Sequence, residues 1–268
     1  MPEAGDAPPP PDPLARPVVD AHCHLDLMGG DVAAHVAAAQ AVGVTRVVTI
    51  GIDVPTSQWC ARTAAAHRDV FAAVAIHPND AESATDDALA QIAVLAAQPD
   101  VRAVGETGLD HYRTTADHRA QEDSFRAHIA IAKEVGKALV IHDRDAHDDV
   151  LRVLGEEGAP ERVVFHCFSG DAAFAGACAD RGYVMSFAGN VTFKNADPLR
   201  AAAAAAPLEL LLVETDAPFL APQPYRGRPN APYLVPLTLR MLARVKGVAE
   251  DVLAAAVDRT AAAVFGPW

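Results

Sequence analysis

Short apolar runs alternate with alanine-rich stretches along most of this 268-residue chain, and few folds accommodate that alternation. Runs rich in Val, Ile, Leu and Phe predict strands at 18–24, 46–52, 70–77, 101–106, 138–142, 163–168, 183–187 and 210–215. Alanine-rich stretches predict helices at 31–41, 56–67, 84–97, 117–135, 146–155, 172–180, 195–206, 235–246 and 249–264. This order predicts an α/β protein whose parallel strands form a (β/α)8 barrel, also called a TIM barrel. An open doubly wound sheet is the alternative, although no GxGxxG motif follows the first strand.

The first 16 residues contain four consecutive prolines and show no periodicity. They predict a disordered or extended tail at 1–16, followed by a single barrel domain at 17–268. No apolar run reaches the roughly 18 residues of a membrane span, and no signal peptide is recognisable at the N-terminus. We therefore expect a cytoplasmic protein without membrane association, whose four cysteines are free thiols.

Residues that bind metals or transfer protons stand where the predicted strands end. In a parallel barrel those ends share one rim, which is where barrel enzymes place their active sites. Imidazole and carboxylate groups are poor choices for a buried core, so packing does not explain their recurrence there. The six residues with metal-binding side chains at these positions are His22, His24, Glu106, His142, His166 and Asp216.

Four imidazoles and two carboxylates exceed the ligands that one tetrahedral zinc accepts, so the set indicates two divalent ions. We expect Glu106 to bridge them, because strand four lies between the strand-one pair and the histidines of strands five and six. Asp216 would complete the first site and accept a proton from the attacking water, which makes Asp216 and Glu106 the predicted catalytic residues. The ligand chemistry suits Zn, Mn, Fe or, less readily, Mg.

Other chemistries have weaker support in the sequence. Ser169 follows His166 closely, but the segment is not a GxSxG nucleophile elbow, and no phosphate-binding glycine loop is present. The formal net charge of −13 argues against a broad nucleic-acid surface, although it leaves room for a local basic cluster.

Basic and polar residues cluster just beyond the predicted strand ends. A locally basic mouth within an acidic protein suits an anionic substrate such as a phosphodiester or phosphomonoester. The predicted substrate-binding residues are His77, Asp110, Arg113, Arg144, Lys194 and Arg226.

Eight segments in order along the chain resemble the motifs of the TatD-type metal-dependent hydrolases, a branch of the amidohydrolase superfamily. They are VVDAHCHLD, AIHPND, GETGLD, VIHDRDA, FHCFSG, TFKNA, ETDAPFL and RGRPNAPYL. The resemblance implies a distorted TIM barrel with two divalent ions and a deoxyribonuclease activity, commonly 3′–5′ exonuclease on single-stranded DNA. It places one ion with His22, His24, Glu106 and Asp216, and the other with Glu106, His142 and His166.

One departure concerns substrate preference. The family often has RGxxNEP where this chain reads RGRPNAP, so Ala231 replaces an acid near the predicted mouth. The leading hypothesis is a nuclease acting on DNA or another phosphate-containing substrate, with no obligate protein partner. Hydrolysis of a small amide, ester or lactone, or metal binding without catalysis, remain the alternatives.

Overall fold

The computed structural model describes residues 7–113, 116–266 and 268. All eight predicted strands are present, parallel where their register is defined, and they follow chain order across one sheet. They are β1 (Val18–Cys23), β2 (Val44–Ile50), β3 (Val70–Val74), β4 (Val101–Asp110), β5 (Ala138–Arg144), β6 (Val163–Phe165), β7 (Val184–Phe187) and β8 (Leu211–Val213).

Helices follow the strands, as the alternation predicts. They are α1 (Leu25–Met28), α2 (Val32–Gln40), α3 (Val54–Ala66), α4 (Asp86–Ala96), α5 (His118–Val135), α6 (His147–Glu157), α7 (Ala172–Ala179), α8 (Asp197–Ala205), α9 (Val235–Lys246) and α10 (Glu250–Phe265). Only the one-turn helix α1 has no counterpart among the predicted helices. The caps explain several boundaries: Asp53 and Thr56 form a capping box at the start of α3, and Gly136 ends α5 in the left-handed conformation.

The chain divides into two compact units. Unit 1 comprises the described residues within Met1–Val48, Gly170–Ala263 and Pro267–Trp268, and it contains β1, β7 and β8. Unit 2 comprises Thr49–Ser169 and Val264–Gly266, and it contains β3 to β6. In both units the strands are buried along their whole length, apart from positions in β4 and β5, as expected for parallel strands covered by helices.

Several strand ends differ from the predicted ones. β4 continues to Asp110, well beyond the predicted end at 106, because its pairing with β5 extends through Gly108–His142 and Asp110–Arg144. β6 ends at Phe165 rather than at 168, where the backbone turns and Cys167 adopts a φ of 41°. β4 therefore continues beyond Glu106, whereas β6 ends one residue before His166.

The proline-rich N-terminal segment is described only from residue 7 onward, so its first six residues lie outside the described part. Residues 7–16 form no helix or strand. They are held within unit 1 by hydrogen bonds from Tyr233 Oη to Pro8 O (2.6 Å) and from Arg240 Nη2 to Asp12 O (2.8 Å). The side chain of Leu14 is buried, which gives this segment an apolar anchor.

None of the four cysteines, all within the described residues, forms a disulfide bond. None of the helices in the described part of the chain combines the length and the hydropathy that crossing a membrane requires.

Candidate metal centre

Three imidazoles surround one carboxylate oxygen in unit 2. Glu106 Oε1 lies 2.7 Å from His142 Nδ1, 2.7 Å from His166 Nε2 and 3.4 Å from His77 Nε2. Glu106 is 4% exposed and His166 is 6% exposed, so the group is screened from bulk water. We call these four residues the Glu106 cluster.

The backbone of unit 2 positions each member of the Glu106 cluster. His142 lies opposite Gly108 in the β4–β5 ladder, where a Cβ on the glycine would stand 2.1 Å from the His142 carbonyl oxygen. Only glycine therefore lets the two strands approach so closely beside the cluster. His77 caps the 3₁₀ helix Pro78–Ser83, and its Nδ1 accepts the N–H of Asn79, which leaves Nε2 facing Glu106.

Asp110 supports His142 from the opposite side of the ring. Its Oδ2 lies 3.1 Å from His142 Nε2, while its Oδ1 accepts the backbone N–H groups of Tyr112 (3.0 Å) and Arg113 (2.7 Å). The imidazole is thus held between two carboxylates, and Asp110 also fixes the turn that follows β4. A carboxylate behind a ligand histidine is a common way to orient the ring at metal sites.

The charges of the Glu106 cluster are set by this arrangement. Burial alone would raise the pKa of Glu106, but the neighbouring His166, His77 and His142 outweigh it and hold that pKa well below its usual value. Burial likewise opposes ionisation of Asp110, yet hydrogen bonds from His142 and from the backbone lower its pKa to about 2. Burial would lower the pKa of His142, and the two carboxylates raise it instead. Both carboxylates are therefore ionised at neutral pH.

A second cluster lies in unit 1 and consists of His22, His24 and Asp216. Asp216 Oδ1 lies 3.5 Å from His24 Nε2 and 3.8 Å from His22 Nε2. The two imidazole rings are 5.2 Å apart and nearly perpendicular. We call these three residues the Asp216 cluster.

The backbone between β1 and the segment after β8 holds the Asp216 cluster. Asp216 donates its N–H to His22 O (2.9 Å), and His24 donates its N–H to Ala217 O (2.7 Å). Asp216 adopts a φ of 54°, so the chain turns at this residue and ends the extended path of β8. The histidines occupy alternate positions of the first predicted strand and so share one face.

Asp20 belongs to the same face and was not among the predicted site residues. It is fully buried, and its carboxyl group accepts hydrogen bonds from Thr215 N (2.9 Å) and Thr215 Oγ1 (2.5 Å). Burial raises the pKa of Asp20 to about 8, and the hydrogen bonds from Thr215 only partly oppose it. Alternation from His22 would have indicated Asp20, since both lie two residues apart in one strand.

A loop after β8 is anchored by Asn230, another residue that the predicted site did not include. Its Nδ2 donates to Thr215 O (2.8 Å) and to Phe219 O (2.6 Å), and its side chain is buried. Asn230 thereby fixes the backbone on both sides of Asp216. Ala231, which stands where the resembling family often has an acid, follows it and is 7% exposed.

The structure separates the predicted substrate-binding residues into two groups. His77 and Asp110 lie at the Glu106 cluster, in contact with Glu106 and His142 respectively. The four basic residues are exposed, and two of their guanidinium groups stack on aromatic rings, Arg144 on Tyr112 (4.2 Å) and Arg226 on Phe193 (4.5 Å). The other two are Arg113 and Lys194.

The side chains of the Glu106 cluster fit a divalent cation. One ligand atom from each of His77, Glu106 and His142 lies within 4.8 Å of the others. Imidazole nitrogen and carboxylate oxygen are the donors that zinc, manganese and iron accept, and the ionised carboxylates supply compensating charge. The Asp216 cluster offers the same donor types.

Comparison with known proteins agrees with this chemistry. The sequence model of TatD-related DNases matches residues 19–266. A Mycobacterium tuberculosis protein named uncharacterized metal-dependent hydrolase TatD is 45% identical over 258 residues, which cover 93% of this chain and 98% of that protein. A Pantoea ananatis protein named 3′-5′ ssDNA/RNA exonuclease TatD is 35% identical, with 85% of this chain and 90% of that protein covered.

A solved structure gives the same answer for the fold. The crystal structure of YJJV, a TatD homologue from Escherichia coli K12, matches with a TM-score of 0.88 at 27% identity, covering 92% of this chain and 97% of that one. Together with the order of the strands, this match confirms the predicted α/β class with a (β/α)8 barrel. The chain therefore belongs to the TatD-related DNase family and is a metal-dependent hydrolase of that family.

Proposed function

We propose that this protein is a divalent-metal-dependent nuclease that hydrolyses DNA phosphodiester bonds, acting on single-stranded DNA from the 3′ end. The observation that carries the proposal is the buried, ionised Glu106 with three imidazoles within 3.4 Å of one of its oxygens. The family match and the name of the Pantoea ananatis relative support the phosphodiester as the bond that is cleaved.

The residues proposed to hold metal come from both clusters. We assign two divalent ions to the chain, one with the Asp216 cluster and one with the Glu106 cluster. That Glu106 binds both ions stays a prediction from the sequence. The proposed ligands are His22, His24 and Asp216 for one ion and Glu106, His142 and His166 for the other.

Divalent ions in such a site polarise the phosphoryl oxygens and lower the pKa of water. Asp216 is 15% exposed at its side chain, so it combines contact with the histidines and access to water. We assign to its carboxylate the removal of a proton from the attacking water. The oxygen of that water bonds to phosphorus, and the P–O bond to the 3′ oxygen of the preceding nucleotide breaks. That oxygen takes a proton from solvent water and leaves as a hydroxyl, and Asp216 releases its proton to solvent.

The protein is acidic overall, with a formal net charge of −13, so attraction of a polyanion must be local. Arg113, Arg144, Lys194 and Arg226 are exposed, and we assign to them the contacts with the phosphates of the substrate. Phosphate contacts by such residues supply affinity without base preference. A substrate with several phosphates gains more from them than a neutral ester does.

The decisive experiment is digestion of a 5′-labelled single-stranded oligonucleotide by purified protein with Mg²⁺, Mn²⁺ or Zn²⁺. We expect a ladder of labelled products that shorten progressively, as removal from the 3′ end requires. Glu106→Ala should abolish the ladder, whereas Glu134→Ala, an exposed position on α5, should leave it unchanged. Intact DNA with every metal would refute the nuclease proposal.

A parallel panel of amides, esters and lactones addresses the second hypothesis. Turnover of a small neutral substrate that Glu106→Ala removes, with DNA left intact, would favour a small-molecule hydrolase. Absence of turnover on both sets, with metal bound at stoichiometric levels, would favour a protein that binds metal without catalysis.

A further inference from the structure

An exposed aromatic residue of unit 2, Tyr112, lies two residues after Asp110, whose carboxylate contacts His142 of the Glu106 cluster. Tyr112 is 63% exposed, and the guanidinium of Arg144 lies over its ring, 4.2 Å from the centroid. Single exposed aromatic residues are common on protein surfaces, so exposure alone carries no argument. Tyr112 differs from such residues in its position after Asp110 and in its contact with the guanidinium of Arg144.

Both residues are fixed at the end of the β4–β5 ladder. Arg144 is the last residue of β5 and pairs with Asp110, and its carbonyl oxygen accepts the N–H of His111 (2.9 Å). The N–H of Tyr112 is bound by Asp110 Oδ1 (3.0 Å), and Asp110 Oδ2 contacts His142 (3.1 Å). The backbone that carries the ring is therefore tied to the proposed metal ligand by two consecutive contacts.

The guanidinium of Arg144 is available for an anion. Among the described residues, no carboxylate forms an ion pair with it, and its side chain is exposed. A guanidinium stacked on an aromatic ring keeps its N–H donors at the edge, where they can bind phosphate oxygens. Arg144 thus covers one face of the Tyr112 ring and offers phosphate-binding donors at its edge, while the other face is left as a π surface.

We propose that Tyr112, backed by Arg144, is a stacking platform for a base of single-stranded nucleic acid adjacent to the phosphodiester at the Glu106 cluster. The proposal rests on the nuclease function proposed above and names a specificity element for it. Bases stack on tyrosine without regard to their hydrogen-bonding edges, so the platform favours unpaired strands while tolerating any sequence. A base within a duplex is already stacked on its neighbours and cannot stack on the ring of Tyr112.

The alternative role for Tyr112 is to hold Arg144 in place. In that case any large apolar side chain would serve, and binding would depend on phosphates rather than on bases. Replacement by leucine retains bulk and removes the π surface, whereas replacement by phenylalanine retains the ring. The pair of variants therefore separates the two roles.

The first test measures binding, with divalent metal chelated so that no cleavage occurs, by fluorescence of single-stranded oligonucleotides that carry 2-aminopurine at the last or the penultimate 3′ position. Stacking on an aromatic ring quenches this base, so we expect quenching by wild type and Tyr112→Phe and its loss with Tyr112→Leu. Val94→Ala, another highly exposed apolar position, is the control and should behave as wild type. Equal quenching by Tyr112→Leu, or none by wild type at either position, would overturn the platform.

The second test measures cleavage of matched oligonucleotides with a normal base or an abasic residue at those positions. Loss of a base–aromatic stack corresponds to a roughly 5- to 150-fold weaker interaction. We expect KM of wild type to rise by that factor on the abasic substrate, with kcat little changed. Tyr112→Leu should show the raised KM on both substrates, and equal KM values of wild type on both would contradict the proposal.

The two proposals fail in different ways. If wild type cleaves single-stranded DNA but Tyr112→Leu matches it in quenching and in KM, the nuclease stands and the platform falls. If wild type cleaves no nucleic acid under any metal, the nuclease function falls, and the platform falls with it unless ring-dependent 2-aminopurine quenching is observed. Should Tyr112→Leu not fold, the wild-type comparison of base-bearing and abasic substrates still decides.

Discussion

Acid should destabilise this protein partly through His128, a histidine that lies fully buried on α5. Its Nε2 accepts a hydrogen bond from Ile76 N (3.1 Å), and its Nδ1 lies 2.7 Å from the carbonyl oxygen of Ser124. These contacts are satisfied by a neutral imidazole that carries its proton on Nδ1. A second proton on Nε2 would break the bond from Ile76, which directly precedes His77 of the Glu106 cluster.

The magnitude follows from the pKa of His128. Burial lowers that pKa from 6.5 to about 4, with the hydrogen bond to Ser124 opposing the shift. The unfolded chain then binds more protons than the folded chain between these two values. The contribution to the free energy of unfolding is complete above pH 6.5 and is lost as the pH falls toward 4. At 1.36 kcal/mol per pKa unit, the loss amounts to about 3 kcal/mol.

Urea unfolding of wild type and His128→Gln between pH 7.5 and pH 4 measures this effect, with metal chelated in both samples. The glutamine amide retains an acceptor for the Ile76 N–H and does not titrate. We expect wild type to lose about 3 kcal/mol more than His128→Gln over this range. His118→Gln, at an exposed position in the first turn of the same helix, controls for removal of an imidazole. Parallel stability curves for wild type and His128→Gln would refute the buried neutral imidazole.

Substitutions in and around the two clusters should separate the roles of their members. Glu106→Ala should lower the bound content of both ions and His22→Ala that of one, counted by mass spectrometry after dialysis; equal losses would contradict a shared Glu106. Asp110→Asn should weaken metal binding by about 10- to 100-fold, because the carboxylate behind His142 loses its charge. An unchanged metal affinity in calorimetry would contradict a role of Asp110 in orienting His142. Asn230→Ala should lower the free energy of unfolding by about 2–3 kcal/mol, because two backbone carbonyls lose their donor; a loss under about 0.5 kcal/mol in urea would contradict that role.

The alternation of strands and helices was readable because each strand is a continuous apolar run, as buried parallel strands are. The positions of the histidines were readable for the same reason, since a polar residue ending an apolar run is conspicuous. His142 and Glu106 illustrate the limit of such reasoning. Both lie inside strands that continue past them, because the β4–β5 pairing extends to Asp110 and Arg144, and pairing between strands is not visible in either strand alone.

Contacts between residues far apart in the sequence could not be predicted from it. Asp20 contacts Thr215 across 195 positions of the sequence, and nothing near Asp20 indicates that partner. His77 was predicted to contact substrate, and the structure brings its Nε2 to 3.4 Å from Glu106. The orientation of the His77 ring depends on a hydrogen bond from the backbone N–H of Asn79, so it is known only from the structure.

Two buried carboxyl groups show how the protein assigns charge within its sites. Asp20 is faced by the hydroxyl and N–H of Thr215, which cannot offset burial, and its pKa of about 8 leaves it largely neutral at pH 7. Glu106 is equally sheltered but is faced by three imidazoles, which hold it ionised. With Asp110 it presents two negative charges around His142, whose raised pKa reflects the positive charge that this environment favours. A divalent cation would balance these two negative charges with its own two positive charges. Because it competes with the proton for the histidine, the affinity for metal must weaken as acid protonates the ring. Asp20 is largely neutral and adds no negative charge, and its hydrogen bonds with Thr215 hold the strand that carries His22.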